Sequence, residues 1–365
     1  MPESLSKPRI STDSLEKLDL IRNQLKDERE PFMSYWKKYG PKVSMNMSDW
    51  DDSTTPGNKS PQDRAAIYDS TAEEASDTLA NGLQSAAFGR QVPWIQTTPE
   101  ERDIAKDKDA GTWLQKTDLH LAAALSRSTF YDAARAFTRC CADFGTGIML
   151  REHDAAEGKA IYKAQHLKNC LIAEDRFGQV DTLFRDFWFS PWEAASLFGK
   201  DNLPAQIKDD LKDGKTTKRR YTQFIIPKDK WDIDAEARNG KPFYTVYVCE
   251  IDRKKAIAEG GYDSKPFYVW RWGSSLDGDV WGVDSPGMIA YSDVLQANAE
   301  KGDFSRLVQL AANPPIKQTP GIDGVVCRMK GDCVSAAASN TACMISRFSV
   351  LNAPTAYPPF CARSN

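Results

Sequence analysis

Residues 145–189 read GTGIMLREHDAAEGKAIYKAQHLKNCLIAEDRFGQVDTLFRDFWF, and it is here that the period of the chain changes. Short apolar runs at 146–151, 160–164, 171–173 and 180–189 are separated by Gly and Asp turns, which is the pattern of strands. Everything upstream reads as helix. Residues 13–38 carry Leu15, Leu18, Ile21 and Leu25 as one apolar line, and Gly40-Pro41 is expected to end them. A polar loop over 44–60 precedes helices expected at 61–88, from Thr98-Pro99 to about 126, and at 129–143 behind a Ser128 cap. Downstream, helices are predicted at 191–198 and 203–211, and strands at 221–226, 242–249 and 266–272. Helices follow at 287–300 and 303–312, stopped by Asn313-Pro314-Pro315. Helices, then strands, then helices make an α+β fold, and the absence of strict βα alternation excludes Rossmann and TIM architectures.

One predicted helix is unusual. In IYDSTAEEASDTLANGLQSAAFGRQVPW (67–94) the stripe Tyr68, Ala72, Ala75, Leu79, Gly82 and Ala86 recurs every three or four residues, yet it is built mostly from small side chains. Such a stripe buries little area, and a mid-helix glycine costs about 1 kcal/mol relative to Ala. A close helix contact would offset that cost. Its nearest candidate is the chain's own segment 112–126, and replacing Gly82 by Leu is then expected to overpack it.

Bulk properties narrow the function. The 365 residues are 41% hydrophobic and 27% charged, a globular composition with room for two ordinary domains or one elongated domain with insertions. A net charge of −3 excludes a uniformly basic nucleic-acid coat but leaves room for DNA handling without tight phosphate binding. The first residues, MPESLSKPRISTDSLEKL, lack the apolar core of a signal peptide, and no run approaches the ~18 apolar residues of a membrane span. A soluble product made in the cytosol is expected. The eight cysteines form no CxxC pair, and His120, His153 and His166 stand at no zinc spacing with them, so free buried thiols are expected.

Candidate chemistry is sparse. Phe144-Gly-Thr-Gly147 suggests a phosphate loop, but its glycines follow a helix and open a strand, the reverse of the order such a loop needs. Glu174, Asp175 and Asp181 stand close enough to bind a divalent metal; they also frame a hairpin turn, where acids are favoured for local reasons. Asp277-Gly278-Asp279 reads the same way. Lys218-Arg219-Arg220 and Arg253-Lys254-Lys255 could touch phosphates or could be solvated faces. No nucleophile constellation and no kinase or hydrolase signature occurs. The chain reads as a non-enzyme, with no catalytic, cofactor-binding or metal residue assigned.

Several segments taken in order resemble the head-to-tail connecting, or portal, proteins of short-tailed bacteriophages. They are Tyr68-Asp-Ser-Thr-Ala72, Leu79-Ala-Asn-Gly-Leu83, Pro93-Trp94, Ser128-Thr-Phe-Tyr131 and Phe144-Gly-Thr-Gly147. The series continues with Ile172-Ala-Glu-Asp175, Gly178 to Arg185, Phe198-Gly199, Tyr268-Val-Trp-Arg-Trp272, Gly282 to Gly287 and Asn313-Pro-Pro315. The resemblance implies a subunit of a ring of about twelve copies at one capsid vertex. It implies partners as well: the terminase motor, the capsid, tail adaptors and the double-stranded DNA that enters and leaves through the channel. It places the protein in the virion, after synthesis in the bacterial host cytoplasm, with no membrane segment in the folded protein. By order along the chain, residues 1–273 correspond to a helical and stranded wing, and 274–330 to helices leading into the stem and the start of the clip. A ring subunit also supplies a second explanation for the small face around Gly82, a neighbouring copy. The competing reading is a metal-dependent nucleic-acid-processing or packaging accessory protein using Glu174, Asp175 and Asp181.

Residues 331–365 break the pattern. Only Asp332, Arg347 and Arg363 are charged there, Cys333, Cys343 and Cys361 cluster, and no helical or strand period is sustained. The segment reads either as an irregular tail or as the product of a shifted reading frame in a truncated or remnant portal, such as one from a prophage. Either way it is expected to be poorly ordered.

Overall fold

The computed structural model describes residues 5–43, 50, 67–90, 94–99, 107–154, 157–228, 230–231, 240–273, 275–276, 278–313, 325–327 and 333–335. It divides the chain into two compact units, 1–296 and 297–365.

Within the first unit, helix α1 (Thr12–Val43) opens behind Ser11, whose Oγ accepts the Ser14 amide at 3.3 Å. Its apolar line is longer than the sequence suggests, with Leu15, Leu18, Leu25, Met33, Trp36, Tyr39 and Val43 all buried. The stop expected at Gly40-Pro41 does not occur. Pro41 removes one N–H, and the burial of Tyr39 and Val43 holds the last turn regardless.

Helices α2 (Thr71–Ala87), α3 (Lys108–Arg127) and α4 (Phe130–Phe144) follow. Two expected starts are corrected. Residues 67–70 are not helical, and α3 begins behind an Asp107 cap rather than at Thr98; residues 61–66 and 100–106 lie outside the described ones. Helix α4 starts one residue later than expected, with Thr129 at its N-cap making no side-chain capping bond, though Ser128 Oγ does accept the Phe130 amide at 3.1 Å.

The strands confirm the change of period after Gly145. A three-stranded antiparallel sheet has the order β2-β1-β8, from Lys159–Ala164, Thr146–Asp154 and Phe267–Arg271. A five-stranded antiparallel sheet follows the order β3-β4-β5-β6-β7. Its strands are Cys170–Glu174, Val180–Phe189, Arg219–Pro227, Phe243–Cys249 and Asp252–Tyr262. The last strand was missed in the sequence, because Arg253-Lys-Lys255 and Gly260-Gly261 mask its alternation.

Both faces of the larger sheet are covered. Phe184, Phe224, Ile226, Tyr244, Val246 and Val248 pack under Leu15, Leu18 and Leu25 of α1. Tyr221, Tyr247, Cys249 and Ile257 pack with helices α5 (Pro191–Phe198) and α6 (Ala205–Lys212). The alternation of even and odd residues between these two clusters is the period of two that the strands were read from. Where α1 crosses the sheet, Asp186 is buried between Arg22 and Arg220 and accepts from Thr222 Oγ1 at 2.7 Å. Burial pushes its carboxyl upward, but the two guanidinium groups outweigh that and hold it below the usual carboxylate range.

The helical stretch after β8 is simpler than expected. After the short α7 (Pro286–Ile289), one continuous helix, α8 (Tyr291–Ala312), replaces the two expected at 287–300 and 303–312. Beyond it, Val325–Cys327 and Cys333–Ser335 form an antiparallel pair, so the segment read as patternless contains one short strand. The rest of 331–365, and with it the expectation of poor order, lies outside the described residues.

Candidate functional site

The acids of the competing metal reading come together at the β3–β4 hairpin, each already engaged. Asp175 Oδ1 accepts the amides of Phe177 at 2.8 Å and Gln179 at 2.9 Å, closing the turn, and Gly178 supplies the required positive φ of 75°. The Gln179 amide, followed by that of Phe177, holds the Asp175 carboxyl below its usual range. Glu174 pairs with Arg271, which also donates to Gly178 O at 2.7 Å and Val280 O at 3.2 Å. Lys230 bridges Glu174 O at 2.8 Å and Asp181 Oδ1 at 2.5 Å. These carboxylates brace a turn. Among the described residues no group of three or more His, Cys, Asp or Glu side chains could hold a metal ion. Asp279 accepts a 3.4 Å bond from Ser275, while Asp277 lies outside the described residues.

Four of the six side chains in the basic runs are paired as well. Arg219 pairs with Asp210 at 2.8 Å, Arg220 with Asp186, and Arg253 with Asp19 at 3.1 Å; Lys254 lies 3.7 Å from Glu16. His166 caps a short turn by accepting the Lys168 amide at 3.2 Å, and His120 and His153 stand apart on α3 and β1. Cys140, Cys141, Cys170 and Cys249 are free and buried, and burial pushes the first three thiols up to about 12.

The structure joins two motifs that the sequence keeps apart. Gly145, at φ +78°, closes α4 by donating to Cys141 O at 3.0 Å, and its own carbonyl accepts from Trp272 N at 2.9 Å. Gly282 N–H donates to Thr146 Oγ1 at 2.8 Å. A Cβ on Gly282 would overlap the Gly145 carbonyl, one on Gly145 would overlap that of Gly282, and one on Gly287 would overlap that of Asp143. A Cβ on Gly147 would lie 2.5 Å from Phe137 O. The glycines therefore let two backbones run in contact. The reading of Phe144-Gly-Thr-Gly147 as a helix-to-strand turn holds, and what it turns against is the 282–287 segment.

Aromatic rings pack beneath this junction. Trp36 meets Trp281 edge-on at 5.1 Å, Trp50 meets Phe144 at 5.1 Å, and Tyr35 meets Tyr291 at 4.9 Å. Asp143 is buried among them, accepts from Ser76 Oγ at 2.7 Å and lies 3.6 Å from Arg139. Burial dominates and pushes its carboxyl up to about 6. The junction thus fixes the end of α4, the start of β1 and the start of α8. Sequence reasoning missed it because its halves lie more than a hundred residues apart. The signal available was that both are glycine motifs in one resemblance.

The remaining candidates are uncovered helix faces. The expected contact between α2 and segment 112–126 is not what buries α2. Its buried residues are Ser76 and Ala80, one helical position away from the small stripe, and they face α4. Ala75 and Gly82 are exposed, and a Cβ on Gly82 would meet nothing within 4 Å. Helix α3 has no buried residue at all and exposes Trp113 (65%) and Leu119 (62%). In the second unit, residues 303–312 of α8 are all exposed, Phe304, Leu307, Val308 and Leu310 among them. Among the described residues no helix is long and apolar enough to cross a membrane.

Comparison with known proteins bears on what such faces are for. The family described as bacteriophage head to tail connecting protein matches residues 15–350, so the match runs past Lys330. A portal protein of Salmonella phage epsilon15 is 25% identical over 295 residues, which are 80% of this chain and 52% of that protein. A probable portal protein of Bordetella phage BPP-1 is 25% identical over 299 residues, with the same coverage. The chain spans about half the length of these curated relatives. With 336 of its 365 residues (15 to 350) inside the match, the chain belongs to the bacteriophage head-to-tail connecting protein family.

Proposed function

We propose that this chain is a portal subunit: a structural, non-enzymatic piece of a ring at one capsid vertex, through which DNA is packaged and later ejected. The observation that carries the reading is the family match along nearly the whole chain. The geometry supports it from the other side. The acids and most of the basic side chains that would serve an enzyme or a tight phosphate site are engaged in turns and ion pairs, while α3 and residues 303–312 each present several exposed apolar side chains on one helix. A channel that moves DNA is better served by weak phosphate contact than by many unpaired cations, since each phosphate neutralised adds to the hold.

In this reading the partners are further copies of the chain, about twelve in a closed ring, with the terminase motor, the capsid and tail adaptor proteins docking on it. The protein resides in the virion and is made in the host cytoplasm. The 331–365 segment has low charge and clustered cysteines, but the family match continues to residue 350 and Cys333–Ser335 pairs with Val325–Cys327, so a foreign reading frame is proposed only for the residues beyond the match. Sequencing the gene in all frames beyond codon 330 tests that point.

The functional test is location. Epitope-tagged protein, supplied during infection by the parent phage, should be labelled by gold at a single vertex of DNA-filled particles. Label scattered over the shell, or absent from particles, overturns the reading.

A further inference from the structure

The residues ahead of α1 form a strap across the open edge of the five-stranded sheet. β7 is the last strand of that sheet, and Ser6 pairs with its Glu259: Ser6 N–H donates to Glu259 O at 2.9 Å, and Glu259 N–H to Ser6 O at 3.2 Å. Pro8 has no N–H to continue the ladder. Three residues beyond the bridge, the Glu259 side chain takes over as acceptor, with Arg9 N–H donating to its Oε2 at 2.9 Å. Tyr244 OH donates to the same oxygen at 2.9 Å. Leu5 packs against the cluster containing Tyr247 and Ile257, and Ile10 against the cluster of Phe224 and Val246, so the strap is anchored on both sides of the bridge.

Glu259 itself needs an explanation. It is completely buried, and among the described residues no cation pairs with it and its Oε1 has no hydrogen-bond partner. Burying a carboxyl group with one oxygen left unbonded is costly. One of the two side-chain hydrogen bonds that offset the cost comes from the strap.

We infer that the β7 edge at Glu259 is a strand-accepting site for the segment Leu5–Ile10 of this chain, and that it takes the segment from a second copy as well as from its own. An occupant of demonstrated fit is already on the edge, and an identical segment from a neighbour presents the same atoms, which is the chemistry of strand exchange. The exchange between neighbours rests on the ring reading; the acceptor site does not. Keeping the edge occupied also prevents unspecific strand pairing.

A fluorescent peptide of residues 1–11 tests this by anisotropy. It should bind saturably to a chain lacking residues 1–10, at least tenfold more tightly than to the full chain, and Glu259→Ala should weaken binding at least tenfold. Equal binding to the shortened and full chains, or no effect of Glu259→Ala, overturns the inference. If the shortened chain does not fold, hydrogen exchange on the full chain decides instead. Glu259→Ala should speed exchange at the Ser6 and Arg9 amides at least tenfold while Phe224 stays protected; unchanged Ser6 and Arg9 rates overturn it. Loss of single-vertex labelling would remove the ring yet leave the peptide result intact, so the two failures are distinguishable.

Discussion

Helices α3 and α4 are neighbours in sequence and opposites in environment. Of the fifteen residues of α4 eleven are buried, whereas none of the twenty in α3 is. Both helices carry aromatic and aliphatic side chains: Phe130, Tyr131 and Phe137 in one, Trp113, Leu119 and Leu121 in the other. Composition therefore does not separate them. What separates them is that α4 ends in the glycine junction, held against β1 and the 282–287 segment, while among the described residues α3 has no comparable backbone contact. The comparison teaches that an apolar helix in this chain is not necessarily a core helix. The small stripe of α2 carries the same lesson, because Ala75 and Gly82 are exposed and it is the adjacent side, at Ser76 and Ala80, that meets α4.

The largest expected effect breaks the comparison on the buried side. Gly282→Ala forces a Cβ onto the Gly145 carbonyl, and since both partners are backbone neither can rotate away. Urea unfolding should show a loss of about 3 kcal/mol or more. A variant as stable as the parent would mean that the two segments are not in contact.

A second experiment sharpens the buried side through pH. Asp143 has its carboxyl raised from 3.8 to about 6 by burial, so between those values the folded state holds the proton more tightly than the unfolded chain. Stability is then lost as pH rises through this window, by about 2–3 kcal/mol at one pKa unit per ~1.4 kcal/mol. Asp143→Asn should abolish that fall, its stability between pH 4 and pH 7 changing less than the parent's by about that amount. Parallel pH profiles from melting curves would show that Asp143 does not titrate in the fold.

The smallest effect lies on the uncovered side. Gly82→Ala adds a methyl where nothing stands within 4 Å, so the isolated chain should gain about 0.5–1 kcal/mol from helix propensity alone. A loss of stability in the isolated chain would place the stripe inside a contact of the single subunit and erase the contrast between the two sides.

Much of this protein was legible in its sequence, because much of it depends on local rules. The change of period at Gly145, the turn at Asp175–Gly178 and the short helix from Pro191 follow from spacing, from glycine's access to positive φ and from proline's fit to a first helical turn, none of which needs a distant partner. The order of short motifs was enough to place the chain in its family. Other features were decided only in three dimensions. Strand β7 was hidden because Arg253, Lys254 and two glycines suppress its alternation; pairing with β6 makes it a strand. Gly40-Pro41 failed to stop α1 because burial outweighed one lost hydrogen bond. The small face of α2 and the apolar face of α3 could be assigned only once the positions of α4 and β2 were known. A periodic stripe specifies which residues share a side of a helix, and the tertiary contacts determine whether that side meets the rest of the chain.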